Sequence, residues 1–166
     1  MNPADATVMG PVPGQPPPHI EMRVRVNMAM LGLLREFVTS VARHLGFPED
    51  QTAQIEMCVD EACANAIEHA YRKSFDAPED PDHPHELVAV EIFFSGEELT
   101  IRVVDNGLGA ESGAESRMRD LEQYIDANRE SYRGLGFHLI NQFMDRVDVR
   151  TAPGLGTTVE MTKFRR

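Results

Sequence analysis

Two apolar runs of strand length, residues 87–94 and 99–104, are separated only by Ser95-Gly96-Glu97-Glu98. A polar spacer this short, with a glycine in it, turns the chain straight back and predicts a β-hairpin. The hairpin constrains everything around it, because two strands alone are not stable without further strands or a packed layer of helices. Upstream, Ile20, Met22, Val24 and Val26 alternate with Glu21, Arg23 and Arg25, the pattern of a half-buried strand. Asn27 then offers an N-cap to a helix over 28–45, which Gly46 and Pro48 end. Its apolar stripe is Met30, Leu33, Leu34, Phe37, Val38, Val41 and Leu45. A second helix runs from 49–50 to about residue 71, with Ile55, Val59, Ala62, Ala66 and Ala70 at core spacing. Downstream, the polar stretch 111–132 holds a short helix around 117–127, and an amphipathic helix follows at 135–144. Strands at 147–151 and 157–163 flank Pro153-Gly154-Leu155-Gly156. Strands and helices are partly segregated in this order. The expected fold is therefore α+β: a two-layer α/β sandwich, with a mixed sheet and helices packed on one face.

A chain of 166 residues, 42% hydrophobic and 26% charged, supports one globular domain. Residues 1–18 carry six prolines and are expected to form a flexible arm outside a domain at 19–166. The acidic, proline-rich segment 74–84 reads as a solvated loop, and His83 and His85 there read as loop residues rather than metal ligands. A net charge of −11 argues against bulk electrostatic binding to nucleic acid or to an anionic membrane. No apolar run approaches the ~20 residues of a membrane span, and no signal-peptide pattern opens the chain. Cys58 and Cys63 would point about 140° apart on a helix and cannot pair locally. A reducing, cytoplasmic setting is expected.

Three places carry chemistry. Glu61 and Asn65 lie four apart on the second helix and share a face. Asn is unfavourable in a helix interior, yet its amide oxygen is a hard ligand suited to Mg²⁺. A carboxylate one turn earlier can orient or deprotonate a nucleophile beside such a metal, although an ordinary polar face has the same composition. Asp105-Asn106-Gly107-Leu108-Gly109 follows the third strand. An ionised Asp there accepts hydrogen bonds and selects a donor such as an exocyclic amino group, although Asp-Asn-Gly is also turn chemistry. Gly134-Leu135-Gly136 opens a helix, where backbone N–H groups suit a phosphate or simply permit a tight entry.

Taken in order, these segments resemble the Bergerat (GHKL) nucleotide-binding fold of DNA gyrase, a class of heat-shock chaperones, histidine kinases and the MutL repair proteins. Glu61 to Asn65 is similar to its N box, Asp105-x-Gly107-x-Gly109 to its first glycine box, and Arg133-Gly134-Leu135-Gly136 to its second. Gly156-Thr157-Thr158-Val159 is similar to its closing Gly-Thr segment. Runs 60–71 and 136–147 more specifically resemble the bacterial anti-sigma factor serine/threonine kinases of the SpoIIAB and RsbW type. The proline-rich arm, the acidic loop and Arg133, where many relatives have glycine, depart from that pattern.

The resemblance implies a set of roles. Asp105 contacts the adenine amino group, in a pocket shaped by Gly107 and Gly109. Asn65 coordinates the Mg²⁺ that bridges the ATP phosphates, and Glu61 is the general base. Segment 109–134 is the ATP lid, with Gly134, Leu135 and Gly136 cradling phosphate and Thr157 closing the pocket. Arg133 either stabilises charge on the γ-phosphoryl group or faces solvent on the lid. The implied activity is phosphorylation of a STAS-type anti-sigma factor antagonist by an ATP- and Mg²⁺-dependent homodimeric kinase that also sequesters a sigma factor. Arg35, on the first helix, is expected either to anchor a partner protein or to lie on the solvated side. Two rivals are a detached histidine-kinase catalytic domain acting in trans and a binding module gated by ATP without transfer.

Overall fold

The computed structural model of the chain describes residues 17–25, 28–67, 87–107, 135–152 and 156–166. Within them the order is β1 (Ile20–Arg25), α1 (Met28–His44), α2 (Glu49–Asn65), β2 (Leu87–Ser95), β3 (Glu98–Asp105), α3 (Leu135–Phe143), β4 (Arg146–Ala152) and β5 (Gly156–Phe164). The arm at 1–16, the Asn27 cap, the acidic loop and the helix expected around 117–127 lie outside the described residues.

The expected hairpin is β2–β3, closed at Ser95 opposite Glu98, with Gly96 at φ +59°. That left-handed conformation is what a two-residue hairpin turn demands of its first residue. Five strands form one sheet in the order β1-β2-β3-β5-β4. The α+β sandwich stands, but the sheet is antiparallel at all four pairings rather than mixed. The reason is topological. The connection through α3 makes β4 run in the same direction as β3, but two places away, and β5 turns back to fill the gap between them.

Alternation sends Met22, Val24, Val90, Ile92, Leu99, Ile101, Val103, Val159 and Met161 to one face, where they pack with residues of α1, α2 and α3. From the helices come Leu34, Val38, Ile55, Val59 and Ile140, all fully buried. The stripe expected on α1 is shifted: Met30 and Leu33 are exposed, at 37% and 49%, while Leu31 and Ala42 are buried. A line through Leu31, Leu34, Val38 and Ala42 follows the 3.6-residue period, which leaves Leu33 a full 100° away from Leu34. Helix α1 ends in a Schellman arrangement, with the Gly46 N–H donating to Arg43 O and the Phe47 N–H to Ala42 O, Gly46 having φ +82°. Helix α2 begins after Pro48 with Glu49 and Asp50 in its first turn, where carboxylates favour the helix dipole.

The opposite face of the sheet is polar. There Arg102, itself buried, reaches Glu91 and Glu160 at 2.7 Å each and lies over the Phe93 ring. A buried guanidinium needs such partners, because removing one would leave a buried charge uncompensated.

Candidate functional site

The last residue of β3 is the first component of the site. Asp105 is only 4% exposed, and its Oδ1 accepts the N–H of Gly107 at 3.0 Å and of Thr157 at 3.2 Å. Thr157 is brought there by Gly156, which begins β5 at φ +89°. A Cβ on Gly156 would lie 2.8 Å from the Asp105 carbonyl carbon and 3.0 Å from Asn106 Cα, so no side chain is possible at this crossing. Burial pushes the Asp105 carboxyl up to about 6, and the two N–H donors oppose that rise without cancelling it. Among the described residues both donors fall on one oxygen, so the carboxylate keeps capacity to accept another donor. Asn106 is anchored as well, its Oδ1 accepting the Leu87 N–H at 3.1 Å, which ties the loop after β3 to the start of β2.

The second component lies where α2 meets α3. Ile55, Val59 and Ala62 bury one side of α2 and leave Glu61 and Asn65 on a half-buried border of the helix. Burial, followed by the adjacent Asp60 carboxylate, raises the Glu61 carboxyl above the ordinary carboxylate range. The Glu61 side chain lies against Gly136 in the first turn of α3. The Asn65 Nδ2 is buried with no hydrogen-bond partner among the described residues. Past Asn65 the backbone continues as a wider π-type turn through Ala66 and Ile67, a distortion often found at functional sites.

A side-chain amide buried without a partner asks for a ligand, since an unsatisfied polar group costs about 1–3 kcal/mol. The unpartnered atom is an N–H donor and so calls for an acceptor such as a phosphate oxygen, while the oxygen of the same carboxamide is the atom with the chemistry to ligate Mg²⁺.

A family model described as the histidine kinase-like ATPase domain matches residues 24–163. The chain belongs to that family. It is 32% identical over 130 residues to the anti-sigma F factor of Thermoanaerobacter sp. (strain X514), covering 78% of this chain and 82% of that protein. It is also 32% identical over 148 residues to the serine-protein kinase RsbW of Bacillus pumilus (strain SAFR-032), covering 87% and 85% respectively. In fold it is similar to a chain of the SiaB–SiaC complex from Pseudomonas aeruginosa, with a TM-score of 0.55 and 11% identity over 88% of each chain.

Within this histidine kinase-like ATPase domain, the expected site residues divide into four groups. Asp105, Gly107 and Thr157 are joined by hydrogen bonds, and Glu61 is joined to Gly136 by contact. Leu135 is the first residue of α3, at the same end. Gly109, Arg133 and Gly134 lie outside the described residues. Arg35 is set apart from both components. It bridges α1 to α2, with Nη1 3.3 Å from Asp60 and Nε 3.6 Å from Glu56. Its guanidinium pairs with two carboxylates of α2 while the side chain stays 37% exposed. Gly156 is the residue that reasoning from sequence undervalued. Its signal was present in the Gly-Thr pair, but the need for glycine comes from a contact with residue 105, far away in sequence.

Among the described residues no helix is long and apolar enough to cross a membrane.

Proposed function

We propose that this chain is an ATP- and Mg²⁺-dependent protein serine/threonine kinase acting as an anti-sigma factor. Its substrate would be a hydroxyl side chain on a STAS-type antagonist, and its second partner a sigma factor. The observation that carries this reading is the placement on α2 of a carboxyl raised by burial, lying against the first turn of α3, one turn before an amide N–H with no partner among the described residues. Relatives named anti-sigma F factor and serine-protein kinase RsbW support it.

The chemistry follows from the groups in hand. Asp105 binds and orients the base of the nucleotide through its acceptor oxygens, at a depth that excludes water from the contact. Asn65 would hold Mg²⁺ through its amide oxygen, and a bound ion would supply neutralisation of charge on the transferring phosphoryl group. Glu61 takes the proton of the incoming hydroxyl as that oxygen bonds to phosphorus and the bond to the leaving nucleotide oxygen breaks. A carboxyl raised by burial is a better base than a solvated one, because its basicity is closer to the working pH. Phosphoryl transfer asks for little beyond such positioning and charge neutralisation.

Incubation with γ-labelled ATP and a purified STAS antagonist tests the proposal. Label on serine or threonine of the antagonist is expected. Label on histidine would point to a phosphorelay, and nucleotide binding without label would point to a gated binding module.

A further inference from the structure

Gly136 lies in the first turn of α3, buried, in helical backbone. It is not among the glycines with positive φ, which are Gly46, Gly96 and Gly156, so its backbone conformation does not require glycine. Within a helix, glycine is less favourable than alanine, and a reason for it must come from the surroundings. In α1, Gly32 shows the contrary case, with nothing within 4 Å of the place its Cβ would take. At Gly136 that place is filled. The three nearest atoms all belong to Glu61: the carboxylate oxygen Oε2 first, then Cδ at 3.1 Å and Cβ at 3.6 Å. No backbone atom of α2 is among them, so the close approach serves a side chain and not the packing of one helix on another.

We propose that Gly136 is a positioning residue for Glu61: the side chain missing from the first turn of α3 is the space in which the Glu61 carboxylate rests and from which it is aimed. The proposal rests on the reading of Glu61 as the base. It gives this glycine a role distinct from the phosphate-cradling one expected from the sequence. A methyl group at 136 meets mainly the far end of a flexible side chain, so it turns the carboxylate aside without breaking the fold. Misplacing a reacting group by about 1 Å costs on the order of 10²-fold in rate.

The test uses the full chain carrying Gly136→Ala. Phosphoryl transfer to the antagonist at saturating ATP is expected to fall on the order of 10–10²-fold, with ADP affinity unchanged within about threefold. A second readout needs no nucleotide. Melting temperatures of the wild type, Gly136→Ala, Glu61→Ala and the double variant form a cycle. Once Glu61 is truncated, the alanine methyl enters free space and keeps its helix-forming advantage. Gly136→Ala is therefore expected to raise the melting temperature more in the Glu61→Ala background than in the wild type. Equal shifts in the two backgrounds would overturn the proposal, as would a loss of ADP affinity with the transfer rate preserved. A wild-type chain that transfers no phosphoryl group would overturn the kinase reading itself, whereas an active chain with an additive cycle would overturn only the role given to Gly136.

Discussion

Strand β5 and helix α3 both run from one end of the molecule to the other, and the two ends treat buried polar groups in opposite ways. At the far end, Lys163 buries its ammonium but donates to Gln54 Oε1 at 2.8 Å and to the Phe143 carbonyl at the C-terminus of α3. Asp145 accepts the Phe164 N–H at 2.8 Å and pairs with Arg166, while the Arg165 guanidinium reaches the Leu45 carbonyl behind α1. Gln51 joins Phe164 and Arg166 to α2. At the near end, Asp105 and Glu61 are held above their ordinary titration range by burial, and Asn65 has a buried N–H without a partner among the described residues. Among the described residues the same two elements thus end in a paired polar cluster on one side and, on the other, in carboxyls raised by burial beside an amide N–H without a partner. Buried polar groups left short of partners within the described residues are the ones expected to meet a ligand.

That contrast can be broken by exchanging the expected consequences of substitution. The largest effect is expected from Glu61→Gln, which keeps the shape of the side chain and removes its basicity. Phosphoryl transfer should slow on the order of 10²–10⁴-fold, with ATP affinity and the urea midpoint almost unchanged. An equal loss of affinity would assign Glu61 to binding. Next is Lys163→Met, which retains the apolar stem but leaves Gln54 Oε1 and the Phe143 carbonyl without their donor. Unfolding in urea should reveal a loss of about 1–3 kcal/mol, with ADP affinity preserved. A far-end substitution that weakened nucleotide binding as much as stability would erase the distinction between the ends. The smallest effect is expected from Arg35→Ala. Its ion pairs to Glu56 and Asp60 are half-exposed and should be worth less than about 1 kcal/mol to stability. Calorimetry with the antagonist then shows whether the guanidinium also serves a partner.

Much of this was legible in the sequence, for reasons that can be named. The hairpin at Ser95–Glu98 and the i, i+4 relation of Glu61 and Asn65 are local, and local periodicity predicts them. The sandwich follows from the order of elements. Met30 and Leu33 were misplaced because a broad apolar stripe does not reveal its centre; packing against the sheet selects Leu31, Leu34, Val38 and Ala42. The all-antiparallel pairing depends on β5 inserting between β3 and β4, a long-range event that no window of sequence contains. The demands made on glycine at 136 and 156 are likewise set by Glu61 and Asp105. Motif spacing located those glycines but did not state what they avoid. The buried Lys163 sits on the inward side of β5 in period with Val159 and Met161, and the Gln54 side chain and the carbonyl at the end of α3 explain a charge there.

The most direct test of the contrast is a paired measurement on Asp105→Asn. Because burial raises the Asp105 carboxyl to about 6 from an ordinary 3.8, the folded state holds its proton more tightly than the unfolded chain does. Wild-type stability therefore falls as pH rises through that window, and the cost of the ionised carboxylate is fully present above it. Asn keeps an oxygen to accept the Gly107 and Thr157 N–H groups but carries no charge. The account predicts that Asp105→Asn melts at a higher temperature than wild type at pH 7.5, by an amount that disappears towards pH 4. It also predicts that its ADP affinity falls by on the order of 1–3 kcal/mol. A variant that is less stable at pH 7.5, or that binds ADP as tightly as wild type, would contradict the claim that this end of the molecule holds its carboxylate against stability for the sake of a ligand.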